Sequence, residues 1–228
     1  MNKKVVCFIV SFLFFQSVYA QKERDSLIIT LVPTFGENTL KLDKKYASGK
    51  DSLEISTFKF YISDLQITFN DNAVFAEKEK YHLVDIENPN SLRLPLCKKN
   101  GKVVTRILFN IGIDSISSVS GALAGDLDPT KGMYWAWQSG YINMKIEGKS
   151  SSCKTRKNEF QFHIGGYKSP FYAIRKVDLY PISQSLDVTV DIAEMFSKIK
   201  LSETNSIMIP GQKAMELANH SVTMFKTE

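Results

Sequence analysis

Apolar and polar residues alternate with a period of two along most of the chain. Phe58, Phe60 and Ile62 alternate with Lys59 and Tyr61, and Leu65, Ile67 and Phe69 with Gln66 and Thr68. This alternation marks strands whose two faces meet different surroundings. The phase changes at Ser63-Asp64, which predicts a bulge or bend inside one long strand. Further strands are predicted over residues 81–86, 103–111, 141–146, 159–164, 173–179 and 186–192, and a first hairpin joins 27–32 to 39–42 through Gly36-Glu37-Asn38. Turn-forming runs separate them, among them Asn70-Asp71-Asn72, Glu87-Asn88-Pro89-Asn90 and Lys99-Asn100-Gly101. Many short strands at such spacing predict an all-β fold, an antiparallel β-sandwich. Helix is expected mainly at the end. A short turn is predicted within 191–198, and 211–225 carries Met215, Ala218, Val222 and Phe225 on one stripe that would dock a terminal helix on the sandwich.

The first twenty residues have a different pattern. Lys3 and Lys4 precede a run over 5–15 broken only by Ser11, Val18-Tyr19-Ala20 closes it, and the chain turns polar at Gln21. This is the layout of a secretory leader, too short to span a bilayer stably. Residues 1–20 are thus expected to be a signal peptide and 21–228 one domain, periplasmic or secreted. Gln21 stands where a lipoprotein needs Cys. Cys7 leaves with the leader, so Cys97 and Cys153 remain as an even pair in an oxidising compartment. A disulfide between them is expected, stabilising by roughly 3–4 kcal/mol if unstrained. The net charge is +5 without any run of five like charges, which gives no sign of a nucleic-acid-binding arm.

Candidate chemistry is sparse. The three histidines form no HExxH or other local metal motif, and GxSxG, P-loop and dinucleotide fingerprints are missing from the sequence. No acid, base or nucleophile pair points to an enzyme, and none is expected. The segment 121–148, GALAGDLDPTKGMYWAWQSGYINMKIEG, stands out because it holds both tryptophans, Trp135 and Trp137. If extended, it would turn Met133, Trp135 and Trp137 to one face, either as a core strand anchored by two indoles or as a site. Asp126 and Asp128 with Thr130 resemble the start of a calcium loop. Gly132 comes one position late for it and Trp137 takes the place of its glutamate, so a polar turn is the favoured reading.

The run GDLDPTKGMYWAWQSGYINMKIEG resembles the signature of the MbnP-like family, periplasmic proteins associated with copper and methanobactin operons. FKFYISDLQI, YHLVD, FNIGIDS and FQFHIGGY match other blocks of that family in the same order. The resemblance implies a β-sandwich and a Cu(I) site in which two histidines are joined by a tryptophan oxidised to kynurenine. It also implies a di-haem partner enzyme related to cytochrome c peroxidases (MbnH-like) that makes the modification, and an outer-membrane transport system. Trp135 or Trp137 would be the modified residue. His163 is the first histidine candidate, because Phe160, Phe162 and Ile164 share one face of its strand and leave His163 on the other, just before Gly165-Gly166. His82 is the second, with Asp85 as a partner that could orient it, and Met133 could add a soft thioether contact. The family pattern also implies a histidine on the first strand near Pro33-Thr34; this chain has none before His82. The alternative to copper handling is a sandwich without metal that binds a protein or small ligand through its aromatic segment.

Overall fold

The computed structural model describes residues 26–227 except 50, 139 and 184. The expected leader, residues 1–20, lies outside the described residues. Fourteen strands are formed among them: β1 (Ser26–Phe35), β2 (Asn38–Thr39), β3 (Lys45–Ser48), β4 (Asp51–Phe69), β5 (Val74–Ala76), β6 (Tyr81–Asp85), β7 (Arg93–Lys98), β8 (Val104–Ile111), β9 (Met144–Ser150), β10 (Glu159–Ile164), β11 (Arg175–Leu179), β12 (Asp187–Asp191), β13 (Ser206–Ile207) and β14 (Phe225–Thr227). Helices α1 (Ser115–Val119), α2 (Ile192–Phe196) and α3 (Gln212–Ser221) are short. No described helix is long and apolar enough to cross a membrane.

The strands make two sheets. The smaller runs β14-β12-β1-β2, with β7 also on β1; the larger runs β11-β8-β4-β9-β10-β13, with β3, β5 and β6 also on β4. Their inner faces share one apolar core, in which Leu27, Ile29 and Val190 of the smaller sheet join Phe58, Phe60, Ile62 and Phe162 of the larger. Phe225 of β14 meets the rings of Phe60 and Phe109 edge-on at 5.6 and 5.4 Å, which ties the sheets together. This is the expected sandwich, with two differences. The β1–β12 and β10–β13 pairs are parallel. The buried stripe of α3 is Ala214, Leu217, Ala218 and Ser221, so the helix is rotated from the expected phase and leaves Met215 half-buried.

The long strand β4 organises the larger sheet. The predicted phase change is there: the register with β8 slips between Ser63 and Gln66, and Asp64 adopts φ +50°. Along one edge β4 pairs first with β9, from Leu53↔Ser150 to Phe60↔Met144, and then with β8, from Ile62↔Ile111 to Phe69↔Val104. Strands β8 and β9 are therefore one antiparallel partner in two collinear pieces, interrupted at Tyr61. Tyr61 keeps both backbone bonds across the break, donating to the Asn143 carbonyl (3.0 Å) and accepting from the Gly112 amide (2.9 Å). The next line of chain is broken at the same level, since Ile164 of β10 pairs with Met144 and Arg175 of β11 with Ile111. Two excursions, residues 113–142 and 165–174, thus leave the sheet side by side.

Cys97, near the end of β7 in the smaller sheet, and Cys153, in the turn after β9 in the larger, are both free thiols, so the expected disulfide is not formed. Each serves as apolar filling instead: Cys153 is buried in the core and Cys97 packs against it. Burial pushes both thiols upward in pKa, which keeps them poor nucleophiles.

The junction at Tyr61 admits no side chain on Gly112. Its φ is +109°, and a Cβ there would fall 2.4 Å from Asn143 Cγ. Gly112→Ala should therefore lower the urea unfolding free energy by about 2–4 kcal/mol. Gly36→Ala, at φ +59° with nothing within 4 Å, should cost only about 1 kcal/mol.

Candidate metal centre

The longer excursion folds back onto the outer face of the larger sheet. Asp114 caps α1, accepting from the Ser117 amide at 2.8 Å, and its carboxylate also holds Lys80 Nζ (2.7 Å) and the Tyr81 hydroxyl. Two tight turns follow, Gly125–Leu127 and Pro129–Lys131. The Tyr61 hydroxyl, on the outer face of β4, donates to the Asp126 carbonyl (3.0 Å), and the Tyr141 hydroxyl donates to that of Leu127 (3.0 Å). Burial pushes the Tyr61 phenol far above its usual range, with Tyr141 and Asp126 adding to the effect, so it acts only as a neutral donor. Beneath these bonds lies a second apolar cluster: Tyr61, Leu83, Ile113, Leu127, Met133, Trp135, Tyr141 and Ile142.

No calcium loop is built here. Asp126 spends one oxygen on the Leu83 amide (2.8 Å) and the other on Lys131 Nζ (2.6 Å), while Asp128 accepts from the Thr130 amide and hydroxyl. Both aspartates order polar turns.

The two tryptophans do not share a face. Ile142 donates to the Met133 carbonyl (2.9 Å), Tyr134 bridges Tyr141, and Trp135 donates to the Gly140 carbonyl (2.9 Å), so the chain is a hairpin up to Trp135. It then turns at Ala136, which ends the alternation. Met133 and Trp135 are 0% and 5% exposed, whereas Trp137 is 63% exposed, its ring centroid 6.3 Å from that of Trp135. Met133 is sealed in the apolar cluster and its thioether is not presented to a ligand.

The Trp135 ring rests on Gly165. A Cβ at Gly165 would lie 2.7 Å from both Cη2 and Cζ3 of the indole and 2.7 Å from the Tyr141 carbonyl oxygen. Gly165 follows His163 by two residues, roughly 7 Å along an extended chain and on the same face. As expected, Phe160, Phe162 and Ile164 enter the core and His163 faces outward, yet it is only 7% exposed. Its Nε2 bonds Glu147 Oε1 at 2.7 Å, with Lys145 3.7 Å from the same oxygen. The bond from His163, aided by Lys145, lowers the pKa of the Glu147 carboxyl against the opposing effect of burial. Lys145 in turn reaches the Gly132 carbonyl (3.5 Å), at the base of the tryptophan hairpin. Glu147 was not singled out in the sequence, although it alternates with Lys145 on the polar face of β9.

Three buried donors around this hairpin have no partner: Trp135 Nε1, Gln138 Nε2 and Asn143 Nδ2. Each costs about 1–3 kcal/mol if left so, and together they mark a place where the fold is not fully satisfied.

His82 does not belong to this centre. It pairs with Ile62 on the inner-face side of β6, whereas His163 pairs with Lys145, which pairs with Lys59 on the outer face. Its partner is Glu77 (Nε2···Oε2 2.8 Å), not Asp85, which is bonded to Lys59 at 2.8 Å. Burial works to depress the His82 pKa, but Glu77 with the charges of Glu79 and Asp126 outweighs it and the net shift is upward. Pro33 and Thr34, where the resemblance implies a histidine, lie on β1 of the smaller sheet.

The family model MbnP matches residues 24–209. The chain belongs to the MbnP family. Among solved structures, MbnP from Methylosinus trichosporium superposes with a TM-score of 0.60 at 12% identity, covering 78% of this chain and 79% of that one. At that identity the likeness shows the fold. No curated protein sequence matches. The blocks that carry the resemblance frame the two excursions: FKFYISDLQI is the centre of β4, YHLVD is β6 beside it, and FNIGIDS and FQFHIGGY are the two points where chain leaves the sheet.

The contact between Trp135 and Gly165 can be read directly by fluorescence. In a Trp137→Phe background the remaining indole should emit as a buried tryptophan. Adding Gly165→Ala should move that emission to longer wavelength and destabilise the fold by about 1–3 kcal/mol.

Proposed function

We propose that this MbnP-family protein is an exported copper-binding protein that holds Cu(I) beside His163 once Trp135 has been oxidised to kynurenine. The observation that supports it most is the buried indole of Trp135, whose N–H has no partner and whose six-membered ring lies against Gly165, two residues beyond the His163 that pairs with Glu147. A carboxylate on one imidazole nitrogen leaves the other, Nδ1, for a metal and fixes the ring, the usual support for a histidine ligand. The native indole has no lone pair to offer. Ring opening changes that. Two equivalents of peroxide, used by a di-haem partner of cytochrome c peroxidase type, would add two oxygens across C2=C3, break that bond and leave as two waters. Hydrolysis with one further water would release C2 as formate and leave an aromatic amine and a ketone, both with lone pairs.

The donor set is one imidazole plus the opened ring. A two-histidine site is not assembled, because His82 lies on the other side of the sheet and His220 on α3. Copper would supply soft ligand binding and transfer to an outer-membrane transport system; the chain's own part is to orient His163 through Glu147 and to bury the modified ring. The choice of Trp135 over Trp137 follows from burial. Trp137, exposed beside it, favours a second reading, docking of a protein partner through this aromatic side.

Protein coexpressed with the di-haem enzyme should bind one Cu(I) in competition with a chromophoric chelator, and His163→Ala should abolish that binding. Unmodified protein should bind weakly. Modified protein that binds no copper, or binds it equally well without His163, contradicts the copper reading and favours partner docking.

A further inference from the structure

A second group of ligand-type side chains lies at the edge of the larger sheet, away from the tryptophan hairpin. Glu77, Glu79 and His82 place one ligand atom each within 4.8 Å of one another. Two of these atoms, Glu77 Oε2 and His82 Nε2, are already 2.8 Å apart. Both residues are fixed by the sheet: the Glu77 amide donates to the Leu65 carbonyl (3.0 Å) and His82 sits in register with Ile62. The group lines a cavity of about 770 Å³ between β6, the 77–79 segment and β7, whose other walls include Arg93, Leu94 and Asp126.

The charge balance inside the group is unusual. The Glu77 side chain is only 8% exposed, and its partner is an imidazole, not a lysine or arginine. Burying a carboxylate is costly unless a cation or several donors compensate it. Of the basic residues that line the cavity, Lys59 bonds Asp85 at 2.8 Å and Lys131 bonds Asp126 at 2.6 Å, and neither Lys78 nor Arg93 forms an ion pair with Glu77 or Glu79 among the described residues. Glu79 is exposed and makes no hydrogen bond or ion pair with a lysine or arginine among the described residues, so its carboxylate is free to swing inward.

We propose that Glu77, Glu79 and His82 form a binding site for a borderline divalent cation such as Zn(II), separate from the His163–Trp135 centre. With metal–ligand bonds of about 2.0–2.2 Å, neighbouring ligand atoms sit about 3–3.5 Å apart, so the group needs only a small inward movement of Glu79. Three protein ligands leave a fourth position open to the cavity. One imidazole and two carboxylates, with no sulfur, suit Zn(II) and its neighbours and select against Cu(I). Together with the copper reading above, two metals would thus be sorted by ligand softness, at two separate places on one sheet.

Zn(II) titrated calorimetrically into the protein should bind at one site. Glu79→Gln, which changes an exposed side chain and leaves the fold intact, should weaken it about tenfold or more, as should Glu77→Gln checked for native circular dichroism. His163→Ala should leave Zn(II) binding unchanged. The proposal is overturned if the folded protein takes up no Zn(II) saturably, if Glu79→Gln binds as tightly as the wild type, or if binding is lost with His163→Ala.

Discussion

A strand inside a sheet cannot leave its amides and carbonyls unpaired, and at Tyr61 the long strand β4 keeps both of its bonds while the neighbouring chain departs and returns. The carbonyl of Tyr61 closes β8 at Gly112 and its amide opens β9 at Asn143. Everything between these two bonds, residues 113–142, is free to fold elsewhere without cost to the sheet. Gly112 makes this possible by lacking a side chain where Asn143 returns, and Asn143 secures the exit by accepting from the Ile113 amide at 3.0 Å. The break in β10–β11 at the same level gives the excursion a companion loop to pack on.

The local consequence is an apolar cluster on a sheet face that would otherwise meet water. Tyr61 reaches into it from below, Tyr141 from within the excursion, and their hydroxyls hold the carbonyls of Asp126 and Leu127. This fixes the hairpin that carries Trp135. Its indole then lies against Gly165, on the same face as His163, whose orientation is set by Glu147. The chain of causes runs from two backbone bonds to the placement of one indole against Gly165, two residues beyond His163.

Much of the fold was legible because strand periodicity reports which face meets the core. The strands over 81–85, 104–111, 159–164 and 187–191 and the irregularity at Ser63-Asp64 all follow from alternation alone. The outward placement of His163 does too. The parallel β1–β12 pairing was not legible, because alternation carries no partner information. Nor was the divergence of Trp135 and Trp137, since the turn at Ala136 has no Gly or Pro inside it to announce it. Glu147 and Glu77 escaped notice for a related reason: a carboxylate becomes informative only when a histidine from a distant or differently directed segment is seen to face it. The cysteine pair misled because an even count says nothing of where the two thiols point.

Amide hydrogen exchange tests the central claim, that two strands and an excursion are welded at Tyr61, most directly. The amides of Tyr61, Gly112 and Asn143, though two of them border long loops, should exchange as slowly as those of Ile62 and Phe60, only through global unfolding. Exchange of Gly112 and Asn143 at rates typical of loops, with Tyr61 left to follow them, would contradict it.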